Sequence, residues 1–163
     1  MSSWDEIIDQ QLVQPGTCYA AALANAPPEL AFYAAAPVAN QEGWQHVWSE
    51  DHIQSVQVSE ERFDNVTISE AAILSKAITD GSAPYGIWLG KQKYKLVQRD
   101  ANFDVNDQRV TCIFANRPRG GAHIVSTEKT VVIGLYNEDV GQSSGNCKRA
   151  VLRFVEYLIE NGC

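Results

Sequence analysis

The sequence predicts an α+β fold in which about seven antiparallel strands are flanked by helices. Apolar residues recur at helical spacing near both ends of the chain, and their period changes to two between residues 86 and 136. A length of 163 residues, with 45% hydrophobic and 20% charged residues, is typical of one globular domain. We therefore expect a single domain over residues 1–163.

Three helices are predicted from apolar residues that repeat between start and stop signals. The first two open with capping boxes, Ser3-x-x-Glu6 and Thr67-x-x-Glu70, in which each side chain satisfies an orphan backbone amide. The predicted helices run from Ser3 to Pro15-Gly16, from about Thr67 to Asp80, and from Ala150 to Gly162, and a short fourth is indicated around 44–48.

Five short β-branched or aromatic runs lie between the second and third helices. Clusters of Gly, Asp, Asn and Pro separate them, which is typical of an antiparallel meander. The predicted strands are 86–90, 92–98, 109–115, 122–126 and 130–136.

Residues 17–39 allow two interpretations. Their ten alanines favour a helix by propensity, but Pro27-Pro28 interrupts the run in the middle. Two short apolar strands around a proline turn explain the interruption better. Residues 50–67 alternate polar and apolar positions and predict a polar hairpin inserted before the second helix.

The charge distribution is uneven along the chain. The net charge is −7, yet residues 1–61 hold nine acidic residues and no Lys or Arg, whereas residues 62–163 carry +2. An acidic protein lacks the basic footprint that nucleic acids and anionic membranes require. Four cysteines without a CxxC pair and the lack of a long apolar run favour a cytoplasmic, reduced protein.

Signatures of catalysis or metal binding are scarce. Gly120-Gly121 lacks the flanking pattern of a phosphate-binding loop, and the three histidines have no metal-ligand spacing. Cys18 and Cys112 lie in apolar runs, where a thiol is usually buried and inert. We therefore expect no enzyme activity, no metal and no cofactor.

Two surface features point instead to binding. Trp4 and Tyr157 lie on the first and last helices, where exposed rings lining a groove would suit polyproline-II peptides, although core packing is a serious rival interpretation. Basic residues form the second feature, and cations in the first turn of a helix oppose its macrodipole. These residues are Lys91, Lys93 and Lys95 on one strand, Arg117 and Arg119 in a turn, and Lys148, Arg149 and Arg153 on the last helix.

Several segments, in this order, resemble the profilin family. They are SWDEIIDQQL, AFYAAAP, WLGKQKYKLV, RGGAHIV followed by TVVIGLYNE, and VLRFVEYLIENG. The resemblance covers nearly the whole chain. The insertion at 50–67 and the phrases DGSAPYGIWLG and SSGNCKRA resemble the apicomplexan branch of the family.

The resemblance implies a central antiparallel sheet with the terminal helices on one face and the internal helices on the other. It also implies binding of monomeric actin and of proline-rich segments of formin-type proteins, by a chain that we expect to be monomeric. The positions that it matches to the actin contact, together with Arg119 of the same turn, are Lys93, Lys95, Val97, Arg117, Lys148, Arg149 and Arg153. The positions that it matches to the proline-binding groove are Trp4, Ile7, Tyr33, Tyr157 and Leu158.

Some positions depart from the family pattern. Ile7 stands where the groove often has Tyr, and Cys163 stands where many members have an aromatic residue, so we expect weak binding of proline-rich peptides. Lys91 replaces the second glycine of a common Leu-Gly-Gly segment. Many members bind phosphoinositides, but the acidic half of this chain argues against that here. The insertion at 50–67 is expected to extend the actin contact.

Two other function classes remain open. A small α+β sensor-type module would bind a ligand or partner unrelated to actin, and ligands but not actin would raise its melting temperature. A thiol hydrolase using Cys18 or Cys112 would show one cysteine with a lowered pKa, readily labelled by iodoacetamide near neutral pH.

Overall fold

The computed structural model describes residues 3–163, whose strands form two antiparallel sheets. In chain order the strands of this part are β1 (Ala20–Asn25), β2 (Phe32–Ala36), β3 (His52–Ser59), β4 (Arg62–Ile68), β5 (Ile87–Leu89), β6 (Gln92–Val105), β7 (Gln108–Arg117), β8 (Gly120–Ser126) and β9 (Thr130–Asn137). Seven of them form one sheet in the order β2-β1-β9-β8-β7-β6-β5, and β3 pairs with β4 alone. The predicted seven-stranded sheet and the inserted hairpin are confirmed.

Four α-helices of the described chain cover the large sheet. They are α1 (Trp4–Ile8), α2 (Glu42–Val47), α3 (Glu70–Asp80) and α4 (Ser144–Glu160). The first helix continues as a π-helical turn over Asp9–Val13, and 3-10 turns lie at Ala39–Gln41 and Glu138–Val140. The short helix expected around residues 44–48 is therefore present as α2.

Each face of the sheet has its own apolar core. On one face Val47 of α2 and Leu74 of α3 are fully buried against the sheet. On the other face Ile8 of α1 and Phe154 of α4 pack in a separate cluster. Because side chains alternate across a strand, β7 contributes to both cores, for example Ile113 to the first. The predicted arrangement, with terminal helices on one face and internal helices on the other, is confirmed.

The alanine-rich segment forms two strands rather than a helix. Ala22 of β1 pairs with Ala35 of β2 on one side and with Ile133 of β9 on the other. Small side chains suit this edge because α2 approaches it closely. A Cβ on Gly43 of α2 would lie only 2.4 Å from the backbone carbon of Ala36.

The starts of the helices agree only partly with the predicted signals. Ser3 caps α1 as expected, since its Oγ accepts a hydrogen bond from the Glu6 amide at 3.3 Å. The second capping box is wrong, because Thr67 belongs to β4 and α3 begins at Glu70. The last helix begins at Ser144, ahead of the apolar repeat at Ala150, because its first turn is polar.

Strand β6 is longer than predicted. The expected strand ended at residue 98, but pairing with β7 continues to Val105, with irregularities after Leu96 and after Asp100. In the extension, exposed polar residues alternate with half-buried Ala101, Phe103 and Val105, and the last two pack against the core beneath the terminal helices. The two irregularities interrupt the period of two, which is why the periodicity of apolar residues did not detect the whole strand.

Within residues 3–163 no helix is long and apolar enough to cross a membrane. The same residues contain no group of three or more His, Cys, Asp or Glu side chains arranged to hold a metal ion.

Candidate functional site

Strand β6 presents a row of exposed side chains on the face of the sheet that carries α4. Tyr94 and Leu96 point into the core beneath the internal helices. The alternation of a strand therefore turns Lys93 and Lys95 to the opposite face. Val97 lies at the irregularity after Leu96 and is 50% exposed.

The second turn of α4 brings further cations to this face, one turn later than the sequence indicated, because the helix begins at Ser144. Lys148 and Arg149 are exposed, and the Lys148 Nζ lies 5.9 Å from the centre of the Phe103 ring on β6. The Arg149 guanidinium is hydrogen-bonded to the side-chain oxygen of Asn146. We call Lys93, Lys95, Val97, Lys148 and Arg149 the basic surface.

A cleft with an aromatic floor lies beside Lys148 and is also lined by Asp100 of β6. His123 lies stacked on Phe114 with ring centres 4.9 Å apart, and its Nε2 is 2.9 Å from the Ser144 Oγ. Burial, and secondarily the charge of Lys148, lowers the pKa of His123 to about 4. The histidine is therefore neutral at physiological pH. The rings of this floor are therefore uncharged, and the charged residues that line the cleft are Lys148 and Asp100.

Two predicted arginines lie apart from the basic surface. Arg117 points to the side of the internal helices, where its Nη2 donates to the Tyr19 hydroxyl at 3.4 Å and its guanidinium lies over the Tyr94 ring. Arg119 forms a salt bridge with Asp139. The sequence could not show that these two arginines lie apart from the basic surface, because side chains at the end of a strand and in the following turn point in different directions.

The N-terminal part of the predicted groove is assembled by α1 and the edge strand β2. The Asp5 Oδ1 accepts a hydrogen bond from the Ala35 amide at 2.8 Å, which ties the helix to the strand. Trp4 and Ile7 are half-buried against the terminal-helix core, and Tyr33 of β2 is 40% exposed. Burial raises the pKa of Tyr33, and the thiol of Cys163 lies close enough to contribute.

The C-terminal part of the groove is only partly as predicted. Tyr157 is 44% exposed and shares a surface cavity with Arg153 and with Gln11 of the π-helical turn, so it faces the N-terminal helix. Leu158 is 1% exposed and belongs to the core. The geometry therefore places Arg153 with Tyr157 rather than with Lys148. We call Trp4, Ile7, Tyr33 and Tyr157 the aromatic surface.

The two thiols considered for hydrolysis lie in different surroundings. Burial raises the pKa of Cys112 to about 11, the opposite of an activated nucleophile. Cys18 is 1% exposed just before β1, and its Sγ is 3.5 Å from the Sγ of Cys147. Its partner within the described chain is thus a second thiol rather than a histidine base.

Comparison with known proteins identifies the family. The Profilin family model matches residues 2–163, almost the entire chain. This chain belongs to the profilin family. It is 28% identical to the profilin of Plasmodium falciparum (isolate 3D7), over 98% of this chain and 96% of that protein, which makes it a profilin of the apicomplexan type.

Solved profilin structures share the fold. The crystal structure of Acanthamoeba castellanii profilin II superposes with a TM-score of 0.66 at 22% identity, covering 99% of this chain and 100% of the other. Mouse profilin IIa, solved in complex with a double repeat from the FH1 domain of mDia1, gives a TM-score of 0.53 at 15% identity, with 99% and 100% covered. Family membership and the shared fold support a role as an actin-binding regulator.

Two parts of the site escaped the sequence analysis. His123 lies in the floor of the cleft beside Lys148, but a lone histidine in a strand carries no signal of its own. The carboxylate of Glu70 is buried and accepts hydrogen bonds from the Gly90 and Lys91 amides, both at 2.8 Å. The sequence analysis assigned Glu70 to a capping box with Thr67 and therefore gave no signal of this second use.

Proposed function

We propose that this profilin binds monomeric actin through the basic surface and acts by binding alone, without catalysing a reaction. The observation that carries the proposal is a set of exposed cations kept without partners in an acidic chain. Among residues 3–163, Lys93, Lys95 and Lys148 form no salt bridge.

The mechanism would be mass action. A monomer held by this surface is withdrawn from nucleation and from some filament ends. Charge complementarity between the lysines and an acidic partner surface would mainly speed the encounter, and salt would weaken this effect.

Reversal of two charges tests the actin proposal. We expect Lys148→Glu/Arg149→Glu to bind monomeric actin at least about tenfold more weakly, because two attractive pairs become repulsive. The measurement is the amount of actin left in the supernatant after polymerisation with increasing amounts of the variant.

The matched control is Lys76→Glu/Arg109→Glu, which makes the same change in net charge at two exposed residues outside the basic surface. This control should retain wild-type actin binding, and both variants should melt like the wild type. Equal binding by the reversal variant and the wild type, with cognate actin, would remove the basic surface from the interface.

We further propose that the aromatic surface binds proline-rich segments of formin-type proteins. Its support is the half-exposed rings of Tyr33 and Tyr157 on either side of the N-terminal helix and the FH1 repeat bound to mouse profilin IIa. Rings stack on the flat faces of a polyproline-II helix. Because Ile7 and Cys163 contribute no ring, the affinity should be low.

Adding a ring should strengthen this binding. We expect Ile7→Tyr to bind a proline-rich formin peptide about three- to tenfold more tightly, since an aromatic contact contributes about 0.5–1.5 kcal/mol. Titration calorimetry measures the affinity, and Thr79→Tyr, at an exposed position of α3 on the other face, is the control. A gain shared by both variants would point to nonspecific stacking.

The inserted hairpin is proposed to extend the actin contact. It is anchored beside the beginning of β6, because the His52 Nε2 on β3 lies 2.8 Å from the Glu70 carboxylate that also holds the Gly90 amide. The hairpin exposes Ile53 at 68% and Phe63 at 63%. Apolar side chains this exposed are suited to a partner contact.

A further inference from the structure

Two buried thiols meet where the N-terminal segment passes the last helix. Cys18 follows the π-helical turn, and Cys147 lies in the first turn of α4. Their Sγ atoms are 3.5 Å apart, although 129 positions separate them in the sequence. Both residues are nearly inaccessible, with 1% and 0% exposure.

The surrounding backbone holds the pair together. The Cys18 amide donates to the Leu12 carbonyl at 3.0 Å, and the Thr17 hydroxyl donates to the same carbonyl at 2.9 Å. Gly134 of β9 lies beneath the sulfurs. A Cβ at this position would be 3.0 Å from the Cys18 Sγ and 3.3 Å from the Cys147 Sγ, so glycine leaves the space that both thiols occupy.

We propose that Cys18 and Cys147 are a redox modification site that forms an intramolecular disulfide under oxidation by a hydroperoxide. Closing the bond brings the sulfurs from contact to about 2.05 Å, a movement of roughly 1.5 Å. Rotation of the two cysteine side chains and a small shift of the loop before β1 would allow this movement of the sulfurs.

The chemistry proceeds in two steps. The Cys18 thiolate attacks one oxygen of the peroxide, the O–O bond breaks, and Cys18 becomes a sulfenic acid while the other oxygen leaves as water or an alcohol after protonation. The Cys147 sulfur then attacks the Cys18 sulfur, the S–O bond breaks, and water leaves with the Cys147 proton. One dithiol and one hydrogen peroxide give one disulfide and two waters.

The electrostatics of the pair fit these roles. The hydrogen bond from the Cys147 thiol holds the pKa of Cys18 below its usual value, whereas the same contact raises the pKa of Cys147. Oxidants reach the pair by local opening of the segment before β1. This segment is held mainly through the Leu12 carbonyl, and its Gly16 is exposed while Thr17 is half-exposed.

The disulfide would stabilise the fold. It closes a loop of more than 100 residues and so restricts the unfolded chain strongly, which should raise the melting temperature by about 10 °C. It would also fix the first turn of α4, directly before Lys148, to the segment that follows the N-terminal helix.

The decisive experiment uses the full chain with Cys112→Ser/Cys163→Ser, in which the pair supplies the only two thiols. After treatment with hydrogen peroxide we expect the intact monomer to lose two hydrogens in mass and all labelling by iodoacetamide in denaturant. Dithiothreitol should restore both thiols, and the melting temperature should follow the same cycle. In the wild type, non-reducing peptide mapping should recover a peptide joining Cys18 to Cys147.

Two results would overturn the proposal. One is recovery of both cysteines as free thiols, or as separate sulfinic acids, under conditions that oxidise Cys163 in the wild type. The other is a disulfide found only between molecules. Cys147→Ser is the matched control, since it should leave Cys18 unable to form the internal bond and abolish the rise in melting temperature.

Discussion

At the scale of single residues, the most connected side chain is Glu70. Its carboxylate is 5% exposed and accepts hydrogen bonds from the Gly90 and Lys91 amides of the β5–β6 turn and from the His52 ring. One carboxylate therefore joins α3, the turn and the inserted hairpin. Hydrogen bonds to a charged group are worth more than neutral ones, and an unsatisfied buried amide is costly.

Neutralising this residue should destabilise the protein. We expect Glu70→Gln to lower the free energy of unfolding by about 2 kcal/mol, because an amide group cannot accept all three hydrogen bonds. Urea denaturation measures the change. Glu42→Gln, which removes an exposed carboxylate 3.7 Å from the His46 ring, is the control and should change stability by less than about 0.5 kcal/mol. Equal changes in the free energy of unfolding for the two variants would mean that the hydrogen bonds of Glu70 do not stabilise the fold.

His123 should make stability depend on pH. Burial lowers the pKa of His123 in the folded state to about 4 from 6.5. Between these pH values the unfolded chain binds a proton that the folded chain does not bind. Stability is therefore lost as the pH falls from 6.5 towards 4, by at most about 3 kcal/mol from this group. His123→Phe keeps an aromatic ring against Phe114 and should lose less stability over this range. If the curves of unfolding free energy against pH were parallel for the wild type and the variant, His123 would not be the cause of the loss of stability at low pH.

Sequence analysis predicted a side-chain contact correctly where the residue has few possible partners. The cap at Ser3 was confirmed, because a serine before an apolar repeat has few other partners. The cap assigned to Thr67 and Glu70 was wrong, because the turn at Gly90 is remote in sequence yet adjacent in space. Leu158, matched to the groove by resemblance, is buried, because neighbouring positions on a helix point 100° apart.

At the scale of elements, periodicity predicted the strands that lie beneath helices and missed the second half of β6. The strands beneath helices are apolar on at least one face, so their boundaries follow from composition. The second half of β6 alternates half-buried Ala101, Phe103 and Val105 with exposed polar residues, but irregularities after Leu96 and Asp100 shift its register with β7 and so interrupt the apolar period along the strand. The hairpin of β3 and β4 was predicted from alternation alone, but its position beside β6 required the structure.

The hairpin proposal makes a prediction at this scale. We expect Ile53→Ser/Phe63→Ser to weaken actin binding about tenfold without lowering stability, because both apolar side chains are exposed and a partner that covered them would bury apolar surface. The sedimentation assay with cognate actin measures it. Gln57→Ser/Thr67→Ser changes exposed polar positions on the same strands and should bind normally. Wild-type binding by the first variant would confine the interface to the basic surface.

At the scale of the whole molecule, the two faces of the large sheet have different proposed roles. The face with the terminal helices carries both the basic and the aromatic surfaces, and the other carries α2, α3 and the anchor of the hairpin. The acidic character of residues 1–61 and the cations of α4 were visible in the sequence. Their spatial separation, with Arg117 and Arg119 on neither surface, arises from strand directions that only the folded sheet determines.

The anchor of the hairpin also contains a natural optical probe. The His52 ring lies edge-on to the indole of Trp88, with centres 5.5 Å apart, and the Trp88 Nε1 donates to the Tyr85 carbonyl at 2.9 Å. Indole emission responds to such immediate neighbours. With the other three tryptophans replaced by phenylalanine, fluorescence from Trp88 would report, without any attached dye, whether the hairpin stays seated or lifts when a partner binds.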